Sequence, residues 1–448
     1  MKNNNEPPYP EPAYAWYVIV ILFLAYTVAY IDRQIMALLI EPIKRDLHIS
    51  DTGVSLLIGF AFVIFYTIAG IPIGRLADKK NRRMIIAVGI FCWSLLTAIC
   101  GLARNFWQLF LARIGVGVGE ACLSPAAYSL IADYFPKSRR GMAISLYSSG
   151  IYVGAGLAYI VGGFIIEMIS HAQDFVLPVL GHLRPWQLTF FLVGIPGLII
   201  VALMGTVKEP YRREVLDLGD GNLGNDLSIG ATLSFFRSYW RVYSTLLLGF
   251  AMEATLSYGY FAWIPSMYIR SFGWSAGDIG YTFGLIVIVL GTCGIVTAGV
   301  LSDWRLRKGE IDNFLRLSII AGICAMTFGI PAALMPTPAL ALTLLCPTVF
   351  FLGFHVGLAP AAVNFITPNQ LRGQAMAIYI FVVALVGMSL GPTGIALITD
   401  YVFRDDQALH YSIAIFTGIF ALLACTLLWL SLGSYRARAE SILALEAS

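Results

Sequence analysis

The sequence predicts an all-α membrane protein whose twelve transmembrane helices form two matched six-helix halves. Two observations lead to this fold class. Of the 448 residues, 58% are hydrophobic and only 12% are charged, whereas soluble domains carry about 25% charged residues. Apolar runs of about 20 residues, the length that an α-helix needs to cross a bilayer, recur along the chain. Lipid is therefore expected to surround much of the protein.

Twelve apolar stretches are predicted as membrane spans. They cover residues 16–40, 53–77, 84–103, 106–132, 141–168, 187–206, 242–269, 277–301, 313–334, 338–366, 373–399 and 409–433. The longest connection is charged and rich in glycine, and it divides the chain into halves. The predicted organisation is an N-terminal tail, a six-helix bundle, a central loop, a second bundle and a C-terminal tail, over residues 1–15, 16–206, 207–241, 242–433 and 434–448.

The distribution of Lys and Arg predicts the orientation. Of the 29 basic residues, 20 fall on the side that carries both termini, six fall on the opposite side, and three lie within spans or at their edges. Cytoplasmic loops carry the excess of positive charge, so both termini and the central loop are expected in the cytoplasm of a cell-membrane protein. The polar, proline-rich start lacks a basic segment and a cleavage site, so we do not expect a removable signal peptide.

The two halves repeat each other in sequence. The Gly-x-x-x-Asp-x-x-x-Arg loop at residues 74–82 recurs at residues 299–307, and Ser124-Pro-Ala-Ala recurs as Ala359-Pro-Ala-Ala. Internal duplication is a recurrent architecture of secondary transporters. The repeats therefore predict a transporter that works by alternating access.

The repeated loop supplies candidate residues for a cytoplasmic gate. Its glycine would permit close helix approach, and its carboxylate could form a breakable ion pair worth on the order of 1–3 kcal/mol. A solvated turn that only orients the chain is the alternative. The candidate gate residues are Gly74, Asp78, Arg82, Arg83, Asp303 and Arg307.

Asp32 and Arg33 are adjacent charges inside the first span. Each costs about 2.5–3.5 kcal/mol at the centre of a membrane helix, so such residues usually face a cavity or a partner. Neighbours on a helix point about 100° apart, so we expect one side chain toward a cavity and the other toward a neighbouring helix. A purely structural charge pair is the alternative interpretation.

Arg113 and Glu120 lie seven residues apart in the fourth span and share a helix face with Ser124. Glycines at positions 115, 117 and 119 would allow another helix to approach closely. An embedded carboxylate beside cations can carry a proton, because moving a cation away changes its proton affinity. A static salt bridge that holds the fourth span is the alternative.

Four further polar residues within spans are weaker candidates for substrate binding. Glu253 and Tyr260 share a face of the seventh span, while His355 and Asn364 flank Pro360 in the tenth and would face opposite ways in a straight helix. A packed, hydrogen-bonded histidine is an equally good interpretation of His355.

Other function classes lack a sequence signal. We find no phosphate-binding loop, no metal-ligand spacing and no nucleophile motif, so the chain is not expected to be an enzyme or to hold a metal or cofactor. The seven cysteines form no CxxC pair and all fall within predicted spans. Basic residues are spread over short loops, so no nucleic-acid partner is expected. A monomer is the expected state.

The loop containing Gly74, Asp78 and Arg82 resembles the signature of the major facilitator superfamily. Among the families of that superfamily, the Spinster transporters have a similar start: Tyr30-Ile-Asp32-Arg33 closely resembles it. The resemblance continues through Arg113-Ile-Gly-Val-Gly-Val-Gly-Glu120, Ser124-Pro-Ala and Tyr152-Val-Gly-Ala-Gly. It is dense over residues 26–165 and sparse in the second half.

The Spinster resemblance implies a carrier of sphingolipids or lysophospholipids. It assigns Asp32, Arg33, Arg113 and Glu120 to a polar centre that binds the substrate headgroup and couples to protons. Tyr30 and Ser124 are further candidates for substrate binding. Our first hypothesis is a proton-linked carrier of an amphiphilic anion, in which the arginines bind the head and Asp32 and Glu120 exchange the proton. A carrier of small water-soluble anions and a non-transporting receptor or scaffold are the two alternatives. The expected partners are a lipid-like or organic anion, protons and membrane lipids.

Overall fold

The computed structural model describes residues 8–170, 175–177, 181–212, 229–368 and 371–447. Its α-helices, in chain order α1 to α19, are Pro12–Gln34, Ile40–Leu47, Asp51–Ile58, Phe60–Lys79, Arg82–Cys100, Phe106–Glu120, Leu123–Tyr134, Lys137–Ser170, Pro185–Thr206, Ile229–Ser238, Trp240–Phe272, Ala276–Ile286, Thr292–Arg307, Asn313–Leu334, Pro338–Leu352, Phe354–Phe365, Arg372–Val382, Ser389–Leu397 and Leu409–Ala447. Two short strands, β1 (Phe175–Leu177) and β2 (Gly181–Leu183), pair antiparallel with Phe175 opposite Leu183.

The predicted all-α membrane fold is confirmed. Among the described residues, eleven helical stretches are long and apolar enough to cross a membrane. The helix α11 is not one of these eleven. At 33 residues it is long enough to cross a membrane, but Glu253 and several Ser and Tyr residues lower its hydropathy. Together with the eleven, α11 accounts for the twelve predicted spans.

Two predicted loop segments are partly helical. The last helix, α19, continues through the predicted C-terminal tail to Ala447, because Tyr435 and Ala439 are buried in the core of their unit. Within the predicted central loop, residues 229–238 form α10, whose Phe235 and Phe236 pack on Tyr243. Residues 213–228 of that loop lie outside the described part of the chain.

Side-chain caps define where several helices begin. The Asn81 side chain accepts a hydrogen bond from the Met84 amide at 2.9 Å, and Asn105 accepts one from the Gln108 amide at 3.0 Å. Each cap satisfies an amide at a helix N-terminus that has no partner within the helix. The starts of α5 and α6 are therefore set by the local sequence.

Helix irregularities occur beside the charged residues of the first half. The helix α1 ends at Gln34 and passes into a 3-10 turn over Ile35–Leu38, directly after Asp32 and Arg33. The fourth span breaks between α6 and α7, directly after Glu120. Pro125 lies just beyond this break, and proline cannot donate the backbone hydrogen bond of a continuous helix. Regular α-helix is thus interrupted close to the charges.

The chain divides into two compact units. Unit 1 comprises residues 1–222 and 275–285, and unit 2 comprises residues 223–274 and 286–448. In unit 1, α1 packs on α8 and α5 packs on α9. In unit 2, α19 packs on both α11 and α14, and its core includes Phe250, Leu358 and Leu428.

Glycines allow the helices of unit 1 to pack closely. A Cβ atom on Gly119 would lie 2.9 Å from the backbone nitrogen of Trp93, and one on Gly117 would overlap the Phe62 carbonyl. The expectation that glycines in this stretch permit close helix approach is therefore confirmed. On α8, a Cβ on Gly154 would lie 2.6 Å from the Thr27 carbonyl oxygen and 2.7 Å from the Tyr30 Cβ.

We expect Gly154→Ala to destabilise the protein by about 1–3 kcal/mol, because the added methyl group overlaps the backbone of α1. The measurement is thermal unfolding of the purified protein in detergent. Gly141→Ala on the same helix is the matched control, since its Cβ would meet no described atom within 4 Å. Equal melting temperatures for the two variants would contradict the close packing of α1 on α8.

Candidate functional site

The two charges of α1 contact different helices, and the orientation of one of them toward a cavity stays a prediction. Asp32 is 1% exposed and accepts a hydrogen bond from the Thr97 hydroxyl on α5 at 3.3 Å. Arg33 is 8% exposed and faces Glu120 on α6. Thr97 was not identified from the sequence, because one threonine in an apolar span gives no distinguishing signal.

Arg33 and Glu120 form a buried ion pair with uneven geometry. Both the Nε and an Nη atom of Arg33 lie 2.7 Å from the same oxygen, Oε2 of Glu120. A bidentate arginine–carboxylate pair uses both oxygens. Here Oε1 of Glu120 is buried without a hydrogen-bond partner, so the carboxylate keeps an acceptor site.

Arg113 completes the cluster but is weakly held. It is 1% exposed, and its Nε lies 3.4 Å from the Leu57 carbonyl while an Nη lies 3.5 Å from the Asp32 carbonyl. Its other Nη atom has no hydrogen-bond partner. These long contacts go to backbone carbonyls, so the guanidinium is positioned beside Asp32 without a close carboxylate of its own.

Three buried polar atoms of this cluster lack hydrogen bonds: Asp32 Oδ1, Glu120 Oε1 and one Nη of Arg113. Each buried polar group without a partner costs about 1–3 kcal/mol. A purely structural cluster would be expected to satisfy its atoms. No described residue supplies the missing partners, so these atoms are open to a water molecule, a proton or a bound anion.

Aromatic rings surround the Arg33 guanidinium. Its carbon lies 4.8 Å from the ring centre of Tyr30, 4.6 Å from Phe62 and 4.9 Å from Tyr66. At such distances a cation is attracted to the face of a ring. Tyr30 was predicted, whereas Phe62 and Tyr66 were missed, although their i, i+4 spacing in the second span places them on one helix face.

A group of tyrosines extends from this aromatic surround. Tyr26 stacks on Tyr147 with ring centres 4.6 Å apart and also lies edge-on to Tyr30 at 5.3 Å. Tyr128 contacts Tyr147 edge-on at 5.3 Å, and the Ser124 hydroxyl lies 3.3 Å from the Tyr147 hydroxyl. We define the tyrosine cluster as Tyr26, Tyr30, Tyr66, Tyr128 and Tyr147. The predicted residue Tyr30 belongs to it, and the predicted residue Ser124 contacts it through Tyr147.

The candidates in unit 2 have partners inside their own unit. Glu253 is 5% exposed, and the Tyr260 hydroxyl lies 2.9 Å from the Thr417 hydroxyl on α19. The His355 Nδ1 lies 2.7 Å from the Leu352 carbonyl, and the half-buried Asn364 accepts a bond from Arg372 through its carbonyl at 3.2 Å. Their role as substrate ligands stays a prediction, and for Tyr260 and His355 these bonds favour packing.

The first gate loop is bound to its own unit. Arg82 is buried, pairs with Asp133, and places its Nε 2.7 Å from Glu209. Arg83 donates to the Val207 carbonyl at 2.9 Å, and its amide donates to Glu209 at 3.1 Å. These contacts hold the chain after α9 against the start of α5. Asp133 and Glu209 were not identified from the sequence.

Among the side chains that the structure describes, the remaining gate candidates show no comparable contacts. No described atom would lie within 4 Å of a Cβ on Gly74, so the expected close approach at this glycine is not found, because this end of α4 is largely exposed. The Asp78 side chain lies outside the described part of the structure. Asp303 and Arg307 are exposed at the end of α13. The gate function of all six residues stays a prediction.

Comparison with known proteins links these features to a family. A model described as Major Facilitator Superfamily matches residues 22–392. An MFS-type efflux pump of Mycolicibacterium smegmatis is 27% identical over 95% of this chain and 94% of its own length. Protein spinster homolog 1 of Xenopus tropicalis is 29% identical over 91% of this chain and 77% of its own length. A probable L-galactonate transporter of Escherichia coli is 25% identical over 86% of this chain and 84% of its own length.

A solved structure shares the fold. The inward-facing, unoccupied structure of a bacterial homologue of the human lysosomal transporter Spinster has a TM-score of 0.76 and 24% identity, with 97% of this chain and 98% of that chain covered. The resemblance to Spinster proteins noted from residues 26–165 therefore extends to the fold of nearly the whole chain.

We expect Arg33→Leu to lower the melting temperature strongly, because it leaves the Glu120 carboxylate buried without its cation, a loss of about 3–5 kcal/mol. Adding Glu120→Leu removes the remaining charge and should restore much of that stability. Thermal unfolding of the two single variants and the double variant measures the coupling between the residues.

Arg45→Ala is the control for this experiment. Arg45 pairs with Asp46 at 3.3 Å but its side chain is 77% exposed, and exposed pairs contribute only about 0–1 kcal/mol. Additive effects of the Arg33 and Glu120 substitutions would show that the two residues do not act as a pair.

Proposed function

Because this chain belongs to the Major Facilitator Superfamily and is a membrane transporter, we propose that it couples the movement of an organic anion to protons at the Arg33–Glu120 pair. Arg33 binds the anionic group, and Glu120 and Asp32 exchange the proton. The observation that carries this proposal is a buried charge cluster in which one oxygen of Glu120 takes both contacts from Arg33 while three other polar atoms lack partners.

Charge balance explains why a proton would accompany the anion. The cluster holds two cations, Arg33 and Arg113, and two carboxylates, Asp32 and Glu120, all nearly fully buried. Uncompensated charge in a low-dielectric site costs several kcal/mol per ion. A bound monoanion therefore favours protonation of one carboxylate, and a dianion favours protonation of both.

Competition for Arg33 supplies the coupling step. When Glu120 is ionised, it occupies the guanidinium through two contacts of 2.7 Å. When Glu120 is protonated, its attraction for Arg33 weakens and the guanidinium can bind a carboxylate or phosphate of the substrate. Release of the anion lets Glu120 return to Arg33 and lose its proton. Binding of the proton and of the anion are thereby linked.

The first substrate class that we propose is an amphiphilic anion, such as a lysophospholipid or a sphingoid phosphate. Its support is the sequence similarity to Spinster proteins together with the guanidinium site for a phosphate head. The rings of Phe62 and Tyr66 border that guanidinium and would contact the apolar part next to the head.

The tyrosine cluster favours a second substrate class, small hydroxylated acids. Ser124 and Tyr147 place two hydroxyls near each other, and the Tyr128 hydroxyl lies 3.4 Å from the Ser148 hydroxyl. Hydroxyl groups can both donate and accept hydrogen bonds, which suits a substrate with several hydroxyls of its own. A carboxylate on Arg33 would leave such a chain among the tyrosines.

In proteoliposomes, we expect an imposed proton gradient to drive accumulation of labelled lysophosphatidylglycerol or labelled L-galactonate. Glu120→Gln should abolish the response to the gradient while the anion still binds, because glutamine cannot lose a proton. Glu310→Gln is the control, since Glu310 pairs with Arg305 at 3.4 Å and is partly exposed.

The outcomes separate the alternatives. Transport by the wild type that is insensitive to the gradient would exclude proton coupling. Absence of transport for both anions, with retained binding, would support the receptor or scaffold alternative.

Thermal-shift measurements at two pH values distinguish the two substrate classes. A ligand present at about 100 times its Kd stabilises the folded state by about 2.7 kcal/mol, and we expect a larger shift at the lower pH because protonation accompanies binding. Tyr128→Phe should reduce the shift with L-galactonate several-fold and leave that with lysophosphatidylglycerol unchanged. Tyr401→Phe, an exposed tyrosine of unit 2, is the control. Equal loss for both ligands would contradict a role of the Tyr128 hydroxyl in selecting hydroxylated acids.

A further inference from the structure

Glu253 is a buried carboxylate that the coupling mechanism does not use. It is the fourteenth of the 33 residues of α11, so it lies near the middle of that helix, and it is 5% exposed. Its Oε2 atom has no hydrogen-bond partner. Glu120 has Arg33 beside it, whereas no cation pairs with Glu253 among the residues that the structure describes.

The neighbours of the Glu253 side chain come from two other helices of unit 2, α14 and α19. From α14, the Ser318 hydroxyl lies next to the carboxylate but does not meet the geometry of a hydrogen bond to it. A Cβ on Gly322, one turn further along, would lie 3.8 Å from Oε1 of Glu253. From α19, Cys425 approaches and donates its thiol to the Ile319 carbonyl at 3.6 Å.

Among the described residues, no other titratable group faces this carboxylate. On its own helix, Ser257 donates to the Glu253 carbonyl at 3.4 Å and not to the side chain. On α16, His355 is bonded to the Leu352 carbonyl instead. The Glu253 Oε2 atom and the Ser318 hydroxyl therefore both lack a partner, and the Cys425 thiol lies nearby. The helices α11, α14 and α19 enclose these groups.

Protonation of the Glu253 carboxylate would supply the missing hydrogen bond of this site. An ionised carboxylate only accepts hydrogen bonds, whereas a protonated one also donates. The Glu253 O–H group can donate to the Ser318 hydroxyl, which otherwise lacks a partner. Burying an isolated ionised carboxylate costs far more than burying a neutral acid, so a bound proton is the ligand that fits the chemistry of these neighbours.

We propose that Glu253 is a second proton-binding site, in unit 2, which takes part in coupling independently of Asp32 and Glu120. The proton is held while α11, α14 and α19 pack as described and is released when their separation admits water to the carboxylate. The coupling part of this inference rests on the proposed function, but proton binding at Glu253 does not.

The first test is infrared spectroscopy of the purified full-length protein during a pH titration, which needs no substrate. We expect one C=O stretching band of a protonated carboxyl group near neutral pH to disappear in Glu253→Gln. Glu310→Gln is the matched control and should leave that band unchanged. Loss of no band in Glu253→Gln would overturn proton binding at this residue.

Ser318→Ala keeps the proposal testable if the glutamine variant does not fold. We expect the carboxyl band to shift without disappearing, because the acid loses its hydrogen-bond acceptor but keeps its proton. An unshifted band would contradict the pairing of Glu253 with Ser318 and with it the bonding argument for the site.

The second test measures the number of protons that accompany labelled L-galactonate or lysophosphatidylglycerol in proteoliposomes. We expect Glu253→Gln to lower the proton-to-substrate ratio by one while transport stays dependent on the gradient. An unchanged ratio, together with loss of the infrared band, would show a static structural proton and overturn the coupling role. Failure of the proposed function differs, because wild-type transport would then ignore the gradient altogether.

Discussion

The chemistry of unit 1 depends on one constraint: the Glu120 carboxylate and the Arg33 guanidinium are both buried, and leaving either charge without its partner is costly. Removing one member of such a pair costs about 3–5 kcal/mol. The pair joins α1 to α6 at the points where both helices become irregular. Because this ion pair is costly to break, its free energy would respond strongly to protonation of Glu120 or to an anion bound at Arg33.

The incomplete bonding of the cluster gives it a chemical capacity that a saturated salt bridge lacks. Arg33 contacts only one oxygen of Glu120, and Asp32 is held by a single long bond from Thr97. A fully bonded network would rigidify the bundle and resist exchange. Cation–π contacts with the surrounding rings would still stabilise the Arg33 guanidinium if the ion pair with Glu120 were lost. In the proposed mechanism the same residues serve two states, one with Arg33 on Glu120 and one with Arg33 on the bound anion.

The two units share a repeated sequence but differ in their polar chemistry. At the start of α5, the buried cation Arg82 lies between Asp133 and Glu209, whereas at the start of α14 the buried anion Asp312 lies between Arg316 and Arg436. The sign of the central charge is reversed, although each cluster ties the third helix of its half to later segments. Unit 1 carries the charge-balanced cluster, whereas unit 2 carries Glu253, a buried carboxylate with no paired cation among the described residues. The two halves, which share sequence motifs, thus differ in their buried charges.

The sequence by itself determined the membrane fold, the twelve spans and four of the charged residues at the centre of the candidate site. These follow from local quantities, namely the length of apolar runs and the cost of a charge within one, which are visible at Asp32, Arg33, Arg113 and Glu120. It also indicated the close packing at Gly117 and Gly119. It missed the helical continuation of α19, because burial of Tyr435 depends on helices distant in the chain.

Only the tertiary structure decided which side chains meet. Thr97, Phe62, Tyr66 and Tyr147 are ordinary residues of apolar spans, and no local pattern distinguishes them until α1, α4, α5 and α8 pack together. The same holds for Glu253, which the sequence placed among substrate ligands and which the structure encloses between α11, α14 and α19. Periodicity determines which face of a helix is polar, but the partner of that face depends on long-range packing.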